Sequence, residues 1–154
     1  MKPRLEAWKA APGVLKAMQD LQKHVDNSGL EKSLQELVKI RASQINHCAF
    51  CLHMHTRDAV AAGETMDRIN LVAAWRHSPL YNERERAALA WTEAVTLIAD
   101  THAPDEDYEM LKGSFNEEEM VELTLLITTI NAWNRFQCGF QAVHPMKAKN
   151  AAAA

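Results

Sequence analysis

Two cysteines stand three residues apart at Cys48 and Cys51, and a histidine follows four residues later at His55. A glutamate, Glu36, lies twelve residues before the first of them. A Cys-x-x-Cys pair can pass through a disulfide, one thiolate attacking an oxidant and the other resolving the product. An imidazole nearby can take a thiol proton or hold the resulting anion. Spacing alone leaves open which cysteine attacks. A helix starting just before Cys48 favours a thiolate there through its unsatisfied amides and dipole. The imidazole at i+4 favours Cys51, and it weighs more because the dipole effect fades within a turn.

These residues need elements to hold them. Asn46 reads as the N-cap of a helix that begins at His47 and ends near Ala62, before Gly63. On such a helix Cys48, Cys51 and His55 share one face within about 60°, while His53 points away. His47 and His53 then read as local contacts or pocket edges. The preceding helix, about Leu30 to Ile45, carries Leu30, Leu34, Leu37, Val38 and Ile45 on one stripe. Glu36 falls roughly opposite, about 160° from Val38, so a catalytic Glu36 requires this helix to be buried on both sides. Arg41 falls on the stripe itself, which calls for a buried carboxylate, a subunit contact or a stem laid along the surface.

The Glu-x11-Cys-x2-Cys-x3-His frame, with the surrounding text RASQINHCAFCLHMHTRDAVAAGET, resembles the active-site signature of the AhpD-like alkylhydroperoxidases, within the carboxymuconolactone decarboxylase superfamily. The stretches ERERAALAWTEAVT and INAWNRF resemble it too, so the likeness runs over roughly residues 30 to 140. The resemblance implies that Cys51 attacks the peroxide, that Cys48 resolves it into a Cys48–Cys51 disulfide, and that His55 and Glu36 relay protons. It implies no cofactor, a hydroperoxide substrate and a dithiol reductant of lipoyl or thioredoxin-like type. It also implies a homo-oligomer, trimer or hexamer. One position departs from the pattern: the characterised peroxidases have a histidine immediately before the second cysteine, and this chain has Phe50. The superfamily's lactone decarboxylases lack the cysteine pair, so the resemblance points to thiol chemistry.

Three other readings stay beside it. A dithiol–disulfide oxidoreductase would use the same residues without peroxide. Zinc could take two sulfurs, a nitrogen and an oxygen from Cys48, Cys51, His55 and Glu36. A non-enzymatic oligomeric helical module would use the thiols for packing alone.

The 154 residues suit one domain, with 47% hydrophobic residues and a net charge of −3. That charge gives no basic patch for nucleic acid. No apolar run reaches membrane-spanning length, and the N-terminus lacks a signal peptide's apolar segment. The expected location is cytoplasmic, where Cys-x-x-Cys reads as redox or metal chemistry.

The periodicity predicts an all-α, single-domain bundle of about seven helices. A helical lead covers 1–29, the core 30–144 and a frayed, low-complexity tail 145–154. Within the lead, Pro12 opens a helix to about Val25. Beyond the redox helix, Thr65 caps a helix to His77, and Asn82 with Glu85 forms a capping box for one running through Ile98. A short helix spans about Asp105 to Leu111. Asn116 with Glu119 opens a last, nearly all-apolar helix to Phe140, which must be buried in the centre or at a subunit interface. On it, Asn131, Asn134 and Arg135 need partners, and Cys138 reads as a core thiol.

Overall fold

A computed structural model describes residues 1–145, so the expected tail, 145–154, lies outside it except for Pro145. The described residues are all-α. After the short α1 (Ala7–Ala10) come α2 (Pro12–Asp26), α3 (Lys32–Ile45) and α4 (Ala49–Ala61). Then follow α5 (Met66–Leu71), a 3-10 segment (Val72–His77), α6 (Glu83–Thr96), α7 (Ile98–Thr101), α8 (Asp105–Lys112) and α9 (Glu117–Gly139).

Local chemistry sets several of these ends. Asn82 accepts from the Glu85 amide while the Glu85 carboxylate accepts from the Asn82 amide, each at 2.9 Å. Asn116 and Glu119 repeat the arrangement at the head of α9. Each such box satisfies two amides that a helix start leaves without intrahelical partners. Thr65 caps α5 as its sequence suggests. The helix expected from Met66 to His77 changes character at Val72, where it tightens into 3-10 geometry around a kink at Ala74. The one expected through Ile98 stops at Thr96, and a four-residue turn of helix follows.

At the centre lies α3, packed against α4, α6 and α9. Leu34 and Val38 join Ala87, Ala88, Leu123, Leu126 and Ile127 in one apolar cluster. Leu37 and Ile40 face another, with Ile69, Val72, Trp75 and Leu89. Helix α3 is therefore buried on more than one side, as a working Glu36 requires. The lead belongs to the same body: Val25 of α2 is fully buried in the first cluster, and the Arg4 amide donates to the Phe140 carbonyl at 2.9 Å.

Arg41 meets a carboxylate. Its Nε donates to Glu93 Oε1 at 2.7 Å, and Trp75 Nε1 donates to the same oxygen at 2.9 Å. Arg76 caps the other Glu93 oxygen. One glutamate thus ties α3, the 3-10 segment and α6 together. Replacing it leaves a mostly buried guanidinium and an indole N–H short of an anionic acceptor. Glu93→Gln is expected to lower unfolding stability by about 2–3 kcal/mol, somewhat under the cost of breaking a fully buried pair. Denaturant titration with an unchanged m-value checks this.

Candidate active site

The corner between α3 and α4 holds the thiols, and it departs from the expected capping. His47 adopts a left-handed backbone, with φ of 53°, so it cannot open the helix. Cys48 itself is the N-cap: its Sγ accepts from the Cys51 amide at 3.4 Å. The Asn46 side chain, expected to cap α4, turns instead to α9. Its Nδ2 lies 2.8 Å from Asn131 Oδ1 and 2.9 Å from Asn134 Oδ1. In turn Asn131 donates to Thr96 Oγ1 and Asn134 to Ser43 Oγ, each at 3.0 Å. These amides answer the need that Asn131 and Asn134 pose on an otherwise apolar helix. They fix the α3–α4 corner against α9 and so hold both cysteines in place.

Cys48 and Cys51 are each only 1% exposed, packed with Ala42 and Ile130 and flanked by Phe50 and Trp133. Their environments push the two thiols apart. A hydrogen bond from the Cys48 thiol lowers the Cys51 pKa; burial opposes this, and a hydrogen bond from the Asn134 amide assists it. The Cys48 thiol is raised far above its ordinary value, first by giving that hydrogen bond to Cys51 and then by burial. One thiol is thus poised to ionise and the other to stay protonated as its donor. The anion at Cys51 is favoured by Cys48 and Asn134, and the His55 imidazole is not among its causes.

Glu36 and His55 do meet. His55 Nδ1 lies 2.9 Å from Glu36 Oε2, with the two side chains 8% and 12% exposed. The other carboxylate oxygen accepts from Lys39 Nζ at 3.0 Å, and that ammonium is itself buried. Burial alone would raise the Glu36 carboxyl. The His55 hydrogen bond and the Lys39 charge outweigh it and hold Glu36 below its ordinary value. Lys39 was not singled out from the sequence, although its place three residues after Glu36 puts both on one helix face.

A cavity of about 610 Å³ opens over these groups. Cys51, His55, Glu36 and Lys39 line its polar side, and Trp8, Phe50, Met54 and Trp133 its apolar side. Phe50 is therefore an apolar wall beside Cys51. Cys48 is not among the residues facing the cavity. The peripheral histidines stay outside it: His47 is exposed, and the His53 ring stacks on His144 at 4.4 Å.

The four residues of the zinc reading do not form one ligand set. Among the described residues, the atoms that converge within 4.8 Å come from Glu36, His55 and Asp58, with neither cysteine. Cys138 corrects a further expectation, since it is exposed rather than in the core.

A family model for the carboxymuconolactone decarboxylase family matches residues 12–94, which include Glu36, both cysteines of the pair and His55. The chain belongs to that family. Within the carboxymuconolactone decarboxylase family it is 42% identical over 135 residues to the uncharacterized protein YdfG of Bacillus subtilis, covering 88% of this chain and 92% of that one. Its fold matches, at a TM-score of 0.93 and 46% identity, a protein of unknown function from Agrobacterium tumefaciens suggested to be the antioxidant defence protein AhpD. That match covers 95% of this chain and all of the other. An uncharacterized peroxidase-related protein from Ralstonia eutropha, described as an alkylhydroperoxidase AhpD core, shares the fold at a TM-score of 0.79 and 18% identity. It aligns over 93% of this chain and 77% of its own. The all-α fold of this family member is thus AhpD-like.

Within this frame Asn134 is the residue that composition and motif did not mark as part of the site. Asn134→Ala removes a donor to Cys51, the amide donor to Ser43, and one of the two side-chain amide acceptors of Asn46. Alkylation of Cys51 by iodoacetamide at neutral pH is expected to slow several-fold, in step with a smaller thiolate fraction. Peptide mapping of the alkylated cysteines against time measures it.

Proposed function

We propose that this protein is a dithiol hydroperoxidase. The reading rests above all on one observation: a thiol favoured as the anion, Cys51, shares a cavity with a His55–Glu36 pair while its neighbour Cys48 stays protonated behind it.

In this mechanism the Cys51 thiolate attacks the terminal peroxide oxygen. The O–O bond breaks, and the leaving alkoxide or hydroxide takes a proton through His55, which Glu36 orients. Cys51 is left as a sulfenic acid. The Cys48 sulfur then attacks it; the Cys48 proton and the sulfenic hydroxyl depart as water, and the Cys48–Cys51 disulfide remains. Two electrons have passed from the dithiol to the peroxide, so the cycle itself requires no organic cofactor. An external dithiol, lipoyl-type or thioredoxin-like, returns them. The apolar wall of Trp8, Phe50, Met54 and Trp133 suits an organic hydroperoxide.

Assembly into a trimer or hexamer belongs to the same proposal. Exposed apolar side chains on α8 and α9, including Tyr108, Met110 and Val121, support it. Location is a further part of the proposal and is taken as cytoplasmic. Among the described residues no helix is long and apolar enough to cross a membrane.

The test is consumption of cumene hydroperoxide with dithiothreitol as reductant. Turnover that needs protein, peroxide and reductant together is expected. A rate no higher than that of dithiothreitol alone would overturn the peroxidase and favour a dithiol–disulfide oxidoreductase, assayed with a disulfide acceptor.

A further inference from the structure

A third thiol stands beside the pair. On α9, Asn131, Asn134 and Cys138 follow at i, i+3 and i+7, so they share one face. The first two bind Asn46 at the α3–α4 corner. Cys138, one turn further on, reaches the same corner: its Sγ lies 3.7 Å from the Asn46 carbonyl, two residues before Cys48. The Cys138 and Cys48 thiols are near enough to influence each other's ionisation.

The three thiols differ in access. Cys51 faces the cavity. Cys48 is buried behind it, and Cys138 is exposed at the surface. A reductant as bulky as a protein cannot enter a pocket of this size to reach a buried disulfide. From outside, the thiol adjoining Cys48 is Cys138.

We infer that Cys138 is a relay thiol that carries the disulfide from the buried pair to the protein surface. The inference rests on the redox reading of Cys48 and Cys51. In the step, the Cys138 thiolate attacks Cys48 Sγ, and its proton passes to solvent. A Cys48–Cys138 bond forms as the Cys48–Cys51 bond breaks, and Cys51 leaves as a thiolate. No net electrons move, so no further oxidant or reductant is consumed. Cys51 is the better leaving group because its environment favours the anion. The exchange also restores the attacking thiolate in the cavity while the oxidising equivalent waits at the surface. Burial is the first cause that raises the Cys138 thiol above its ordinary value, and it persists when Cys48 is in the disulfide. The step therefore quickens with pH, by roughly tenfold per unit while Cys138 remains largely protonated.

Two oxidations with diamide, which needs no peroxidase activity, test the relay. In Cys51→Ser, a monomeric product with an intramolecular Cys48–Cys138 disulfide is expected, absent from Cys51→Ser/Cys138→Ser. In wild type, acid quenching at intervals followed by peptide mapping should show Cys48–Cys51 first and Cys48–Cys138 growing from it, faster at higher pH. Thiols that stay free in Cys51→Ser, or link only between chains, would overturn the relay. So would a wild-type map that holds only Cys48–Cys51 at all times. Oxidation of wild type by hydroperoxide is read separately: its failure would remove the peroxidase and leave the diamide result to decide on Cys138.

Discussion

Cys51→Ser is expected to lower hydroperoxide turnover by on the order of 10⁵-fold, to the background of the reductant alone, as loss of a covalent nucleophile does elsewhere. Serine keeps the volume and a hydroxyl, so packing against Ala42 and Ile130 survives. What it cannot supply is an anion near neutral pH. The Cys48 thiol and the Asn134 amide that favour a thiolate have too little to offer an alkoxide, whose parent alcohol ionises far more weakly. Cys48→Ser should behave differently. It retains the nucleophile and loses the resolving sulfur, so one rapid equivalent of peroxide is consumed and turnover then stalls at the sulfenic acid. Stopped-flow peroxide consumption distinguishes the pair: no burst in the first variant, a single-equivalent burst in the second.

Glu36→Gln is the second large effect. The carboxylate both orients His55 and neutralises Lys39. An amide can accept a hydrogen bond from one of them but carries no charge. Proton delivery to the leaving oxygen should suffer, with turnover reduced by about 10²-fold, the lower end of what a positioned acid–base group contributes. Among the described residues, the buried Lys39 ammonium keeps only Asp26, at 3.6 Å and half exposed, as a counter-charge. Stability should fall by about 2 kcal/mol, less than for a wholly buried pair because Glu36 reaches the cavity.

The pH dependence has a definite sign. The folded Glu36 carboxyl titrates below its ordinary value of 4.5. Its contribution is then fully present above that unfolded value and is lost as pH falls through the lower, folded one. Melting temperatures of wild type and Glu36→Gln should therefore differ most near neutral pH, by about 4–8 °C, and converge in acid once pH has fallen through the lowered carboxyl value of the folded state. A gap that persisted unchanged into acid would show that the glutamine disturbs packing rather than charge.

The long helices were legible from period and spacing, whereas the meeting of Glu36 with His55, at 2.9 Å, was implied by the family resemblance and not by spacing. Glu36 sits off the apolar stripe of α3, which demanded burial on several sides, and α4, α6 and α9 supply it. The capping boxes at Asn82 and Asn116 were legible for the same reason, since each acts within four residues. Asn46 was not, because its partners lie 85 and 88 residues away on α9 and outcompete the local amides. That competition moved the cap of α4 to Cys48 and changed the electrostatics of the pair. Arg41 left a carboxylate, a subunit contact and a surface stem open, because its partner Glu93 is 52 residues distant. Cys138 misled for a simpler reason. An apolar run says that a helix is buried, not where along its length it emerges, and α9 emerges at its last turn.

The most direct measurement is the identity of the cysteine that hydroperoxide oxidises first. Wild type, Cys48→Ser and Cys51→Ser are treated with one equivalent of cumene hydroperoxide, trapped with dimedone and mapped by mass spectrometry. The site geometry predicts a Cys48–Cys51 disulfide as the first product in wild type, a dimedone adduct on Cys51 in Cys48→Ser and none in Cys51→Ser. An adduct on Cys48 with Cys51 unmodified, or thiols that remain reduced under excess peroxide, would contradict it.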